Sequence, residues 1–224
     1  MERQMFFRLV LALMLPVAGC KMEQAGPAPD YGSGCIVVDD FETYTADSPM
    51  KIFETWIDGF GYTEPPPGKP GNVSGATVGY LDKPFLERTI VHGGSQSMPF
   101  RYKNTVLPFY SEIERQWAVP QDWATSGTRV LGLWVYGDPC NVPGPLYVAL
   151  QDASGATSVV NHPDPNAVCA GCWNKWSIEL SKFVGIHPVA VSKICIGVGD
   201  RRGLGRSVGG EGMLFIDDIE LSRR

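Results

Sequence analysis

Acidic side chains carry most of the chemistry this sequence could perform. "VVDDFE" places Asp39, Asp40 and Glu42 early in the chain, and "FIDDIEL" places Asp217 and Asp218 late in it. "EIERQW" adds Glu112 and Glu114, two apart and so on one face of any strand. Two kinds of chemistry use such groups. Paired carboxylates hydrolyse glycosides when held about 5–10 Å apart. Carboxylates that converge hold a hard cation such as calcium, which takes about six to eight oxygen ligands in irregular geometry. Asp217 makes the sharper demand. Met213, Phe215, Ile219 and Leu221 keep a period of two, the pattern of a strand with one face in a core, and Asp217 falls on that parity. A buried carboxylate without a partner or a metal is too costly to keep. The expectation is a cation held between acids from both ends of the domain, with the "HGGSQS" turn adding backbone carbonyls. Exposed strand ends, or carboxylates bonded to backbone, are the other reading.

Further motifs yield less. "CAGC" has metal or redox spacing, but no second Cys pair follows and His92, His162 and His187 are scattered. "PNAVCAGCWNKW" reads as a loop entering a strand, so a loop-stapling disulfide or two free thiols is expected. "GVGDRRGLGRSVGGEG" follows a strand but leads into no helix, and a helix N-terminus is what holds a phosphate; it reads as a hairpin loop. Glu112 and Glu114 are joined by no H-E-x-x-H, no G-x-S-x-G and no evident nucleophile with its base.

The elements that must carry these residues are short. Glycine (26) and proline (18) break the chain often, across 224 residues that are 44% hydrophobic. "CIVVDDFE", "RTIVH", "MPFRYK", "EIERQWAV", "RVLGLWVYG", "LYVALQD", "TSVVN", "NKWSIEL", "KICIGVG" and "MLFIDDIEL" read as strands. No window holds a long amphipathic helix; "SPMKIFETWI" allows a helical turn or two. The pattern predicts an all-β sandwich in one domain, residues 35–224. One stretch breaks the rhythm: "WIDGFGYTEPPPGKPGNVSGATVGY" is long, rich in Gly and Pro, and carries Trp56, Phe60, Tyr62 and Tyr80. Long loops are usually functional or disordered, and this one holds too many aromatics for plain disorder.

Residues 1–19 are expected to be removed. Arg3 and Arg8 precede the apolar run "LVLALMLPVAG", too short to span a bilayer. Val17-Ala18-Gly19-Cys20 resembles the bacterial lipobox, which implies lipidation of Cys20 and anchoring in the envelope, with the outer membrane expected because Lys21 rather than Asp follows. Residues 20–34 then form a polar tether. Loss of Glu2, Arg3 and Arg8 moves the net charge from −5 to −6. An acidic exported domain is a poor partner for nucleic acid. The "NVS" sequon at Asn72 is discounted in a bacterial setting.

"DDFE", "HGGSQSM", "PQDW" before "LGLWVYGD", and the closing "LFIDDIEL" together resemble the β-jelly-roll carbohydrate-binding modules of galactose-binding-like fold, which accompany bacterial glucanases and related enzymes. The likeness runs through most of residues 35–224. It implies two antiparallel sheets, a structural calcium bridging the first and last strands, and often a sugar groove on the concave sheet. The calcium-binding closing aspartate corresponds to Asp217, and the opening acid to Glu42, helped by Asp40. The insert after Trp56 is foreign to the pattern, and groove residues vary, so the binding site does not carry across.

The expected protein is therefore a lipid-anchored, non-catalytic domain for a polysaccharide or glycan. Flat rings stack on sugars, while carboxylates and amides read hydroxyls. The candidates are Trp56, Asp58, Tyr62 and Tyr80 in the insert, with Tyr147 and Asp152 on "LYVALQD". A protein-interaction domain of the same fold, or a glycan-cleaving enzyme using Glu112 or Glu114, are the competing classes.

Overall fold

The computed structural model describes residues 34–64, 66–201 and 210–224. The signal segment 1–19, Cys20 and nearly all of the tether lie outside the described residues. The architecture is the expected jelly-roll β-sandwich of two antiparallel sheets.

In chain order the elements are β1 (Ile36–Asp39), the short helix α1 (Ile52–Thr55), β2 (Trp56–Ile57), β3 (Gly61–Tyr62), β4 (Lys69–Pro70) and β5 (Ala76–Val78). There follow β6 (Met98–Lys103), β7 (Tyr110–Gln121), β8 (Val130–Gly137), β9 (Leu146–Asp152), β10 (Thr157–Asn161), β11 (Trp173–Glu179), β12 (Val191–Gly199) and β13 (Glu211–Ser222). One sheet runs β11-β8-β13-β6-β5, with β1 also on β13; the other runs β10-β9-β12-β7-β2. β3 and β4 pair only with each other, as a small hairpin inside the insert.

Alternation sorts the side chains. Leu131, Leu133 and Val135 of β8 and Leu214 and Ile216 of β13 point inward, as do Ile194, Ile196 and Val198 of β12 and Leu146, Val148 and Leu150 of β9. These inner faces form one continuous core, the usual consequence of two half-apolar sheets packed face to face. "RTIVH" departs from expectation. It forms no strand; an isolated bridge between Glu87 and Ser97 flanks it before the turn into β6. Val91 within it is buried, as is Leu86 just before it.

The last strand also departs from the simple alternation. β13 changes partner along its length: β6 covers Glu211–Ile216, and β1 covers Ile219–Leu221. Between them the register against β8 shifts, and Asp218 takes a left-handed φ of 45°. This bulge flips the parity. Asp217 shares its face with Phe215, away from the core, whereas Ile219 and Leu221 point inward.

Candidate functional site

Asp217 lies at this seam, wholly buried beneath the turn that leads into β6. Its Oδ2 accepts the His92 and Gly93 amides at 2.9 and 3.3 Å, and its Oδ1 accepts the Asp218 amide at 2.9 Å. Asp218 Oδ2 lies 2.5 Å from His92 Nδ1, and the His92 ring stacks on Trp134 at 3.7 Å. Burial, then the neighbouring Asp218, push the Asp217 carboxyl up to about 8. Glu42 grips the same turn further along. Its Oε1 accepts the Ser95 and Gln96 amides at 2.9 and 3.1 Å, and its Oε2 accepts the Ser95 hydroxyl at 2.6 Å. A Cβ on Gly94 would stand 2.5 Å from the Glu42 carboxylate, so that position needs glycine.

The three expected cation ligands are not gathered as a set. Asp40 turns back to accept the Glu42 amide at 3.2 Å. Among the described residues, the one trio of ligand-type side chains with atoms within 4.8 Å of one another is Glu112, Glu114 and Cys195, elsewhere in the fold. The physical reason is that one turn offers amide donors to both Glu42 and Asp217. Asp39, beside the expected ligands, has a different task. It is buried and accepts Arg115 Nη1 at 2.6 Å, Trp56 Nε1 at 2.8 Å and the Tyr44 hydroxyl at 2.7 Å.

That bond places Trp56. Its ring is fully buried in the core, so no sugar can reach it, and Trp56 leaves the candidate set. β2 sits at the edge of the five-stranded sheet with alternate residues facing opposite ways, and the indole took the inner side. The next residues do reach the surface. Phe60, Tyr62, Tyr80 and Leu81 line an open cleft of about 390 Å³, with Phe53 of α1, Thr77 of β5 and Asp58 in its wall. Phe60 is 77% exposed and Leu81 89%, while Tyr62 and Tyr80 are half-buried. Phe53 supports Tyr62 from behind, ring centroids 6.3 Å apart.

Asp58 lines this cleft with a buried carboxylate committed to backbone amides. Its Oδ1 accepts the Phe60 and Gly61 amides, both at 2.8 Å, and its Oδ2 accepts the Val78 amide at 3.0 Å. It is a clamp that fastens the insert to β5. Asp152 is likewise spent. It accepts the Ser154 amide and hydroxyl, the Ala156 amide and the His187 amide, fixing the turn after β9. The Ser154 hydroxyl foremost holds its carboxyl below the usual range.

Tyr147 falls on the outer face of the five-stranded sheet, in a separate layer with Ala149 and Cys195. It is buried, and its hydroxyl donates to Glu112 Oε2 at 2.9 Å. Burial, then the Glu112 charge, push its phenol far above the ordinary value. Arg201 Nε reaches the same Glu112 oxygen at 2.6 Å, and Lys193 Nζ reaches Glu114 Oε2 at 3.0 Å. Each glutamate thus has its own cation. Burial, then the Glu112 and Glu114 charges, push the Cys195 thiol well above its ordinary value.

Cys169 is a free thiol, so "CAGC" does not close on itself. Phe53 and Leu81 were not anticipated at the cleft. Phe53 lay in a stretch legible only as a helical turn, and Leu81 carries no signal until the Tyr80 corner is folded.

These features define a β-sandwich of the kind used by carbohydrate-binding modules. Among solved structures, the family 11 carbohydrate-binding module from Clostridium thermocellum, in complex with a β-1,3-1,4-mixed-linked tetrasaccharide, matches with a TM-score of 0.50 at 14% identity, over 84% of this chain and 95% of the module. An agarase and an exo-β-agarase match with TM-scores of 0.52 and 0.53, each at 13% identity. The chain spans only 25% and 26% of those two enzymes. No protein-family description and no curated protein matches the sequence. At identities this low the likeness shows the fold alone.

Proposed function

We propose that this chain is a non-catalytic glycan-binding domain, held in the bacterial envelope by a lipid on Cys20. The carrying observation is the cleft of the insert, where Phe60 and Leu81 stand open to solvent beside Tyr62 and Tyr80. Exposed rings fixed by a rigid clamp present flat area at little entropic cost, which is what sugar stacking requires. The fold it shares with the family 11 module supports the same reading. The pairing of Glu112 with Arg201 and of Glu114 with Lys193 supports a binding rather than a cleaving role.

A structural calcium at the β1–β13 seam belongs to this proposal. Two observations support it: Glu42 and Asp217 both face the His92–Gln96 turn, and Asp217 is buried beside a second carboxylate. A divalent cation there would bind acids from both ends of the domain and would pin the first strand to the last.

The test is titration of the purified protein with a panel of soluble polysaccharides. Binding that is lost in Phe60→Ala and Tyr62→Ala at unchanged melting temperature supports the cleft. Absence of binding to every glycan, together with capture of the domain by a protein through the same apolar rim, would shift the reading to an interaction domain.

A further inference from the structure

A second recess, of about 510 Å³, lies directly beside the cleft and shares Tyr80 and Leu81 as a common wall. Its chemistry differs from that of its neighbour. Arg88 and Arg101 line it, both exposed, and neither forms an ion pair among the described residues. Lys83 also lines it but is paired with Asp47 at 3.2 Å. Of its two acids, Glu87 is occupied. Against the cost of its burial, the Tyr80 hydroxyl and the amides of residues 88–90 hold its carboxyl below the usual range. Asp82 is the remaining carboxylate in the wall, which also holds Arg88 and Arg101. In a chain of net charge −5 this is a local reversal of sign.

The sheet joins the two recesses. Arg101 on β6 stands in register with Thr77 on β5, and Thr77 lines the aromatic cleft. A chain lying over Phe60 and Tyr62 and passing the Tyr80–Leu81 ridge would therefore arrive at Arg101. Guanidinium groups bind planar or tetrahedral oxyanions through paired N–H donors, and two of them beside a sugar platform select for a charged substituent.

We propose that the cleft and the recess form one site for an acidic polysaccharide. The rings hold the sugar faces, and Arg88 and Arg101 hold a sulfate ester or a uronate carboxylate on the same chain. This rests on the glycan-binding reading of the cleft. It is tested on the purified full chain with three probes: a neutral galactan, the same galactan bearing sulfate esters, and a polyuronate. At low salt at least one anionic probe should bind about tenfold tighter than the neutral one. The gap should close as ionic strength rises, since exposed charges are screened. Arg101→Gln and Arg88→Gln should remove that advantage while leaving affinity for the neutral galactan and the melting temperature unchanged. The two anionic arms tell sulfate from carboxylate. Equal binding of all three probes, or an anionic preference untouched by both substitutions, overturns the proposal and leaves the glycan reading standing. Binding of none of them overturns both.

Discussion

Trp56 and Tyr62 come from one stretch of sequence and meet opposite fates, so substitutions there separate folding from binding. Trp56→Ala empties a fully buried site and strips Asp39 of an indole donor; it should cost about 3–5 kcal/mol in a denaturant melt. Phe60→Ala removes an exposed ring and should stay within about 0.5 kcal/mol of the parent stability. The same change should weaken glycan affinity on the order of 1 kcal/mol. Asp217 gives a second residue-level test, because a buried carboxylate is tolerated with a proton or with a cation. Its folded pKa, about 8, lies above the ordinary 3.8. Such a group stabilises the fold fully below its unfolded value and loses that contribution as pH rises through the folded one. In chelator, the parent should therefore lose stability relative to Asp217→Asn from about pH 4 to about pH 8. Calcium at pH 8 should raise the melting temperature of the parent and not of the variant. A parent melt indifferent to calcium would leave Asp217 to its proton and its three amides. The period-two pattern put Asp217 on the core-facing parity, whereas it is buried on the other face, beneath a turn from elsewhere in the chain. The bulge at Asp218 has no residue signature, and the covering His92–Gly93 turn lies far away in the chain.

At the scale of elements, strong period-two segments were legible and the insert was not. β6 to β13 declared themselves because each alternates over enough residues to fill one face of a sheet. β3 and β4 are two residues each, one of them containing proline, and gain their geometry from outside. That outside support is Asp58. Its three amide bonds join the insert to β5, and Gly61 at φ 69° brings β3 so close to β4 that a Cβ would lie 2.2 Å from the Lys69 carbonyl. Asp58→Ala leaves buried amides unpaired and should cost about 1–3 kcal/mol. Hydrogen exchange should quicken at Phe60, Gly61 and Val78 first, and glycan affinity should fall with it although no sugar contact is removed. Unchanged exchange at those amides would mean the insert holds its shape by packing alone. Trp56 and Tyr147 were misjudged because residue type shows what a side chain can do, whereas the partner that claims it comes from another strand; Asp152 is claimed mainly by the turn that follows it.

For the whole molecule, the proposed anchor predicts that the parent fractionates with membranes and that Cys20→Ser is released from them. A Cys20→Ser protein that stays with the membrane would end the lipid reading. The sandwich itself was legible as a class, since many short alternating strands leave few other ways to bury one face each. The order of strands was legible only at one point, the pairing of the first strand with the last. That pairing has a mechanical consequence. β1 is bonded to one neighbour, the far end of β13, and Gly34 lies beside Arg223. If the chain is held ahead of Ile36 while the cleft grips a fixed polymer, the load falls on β1. Drawn from that end, the ladder would open pair by pair, Ile36 from Leu221 and then Val37 from Glu220. It would stop at Asp39, which Arg115, Trp56 and Tyr44 fasten to the opposite sheet and the core. The first strand is thus a short peelable strap ending in a rivet, able to yield under tension while the sandwich behind it stays closed.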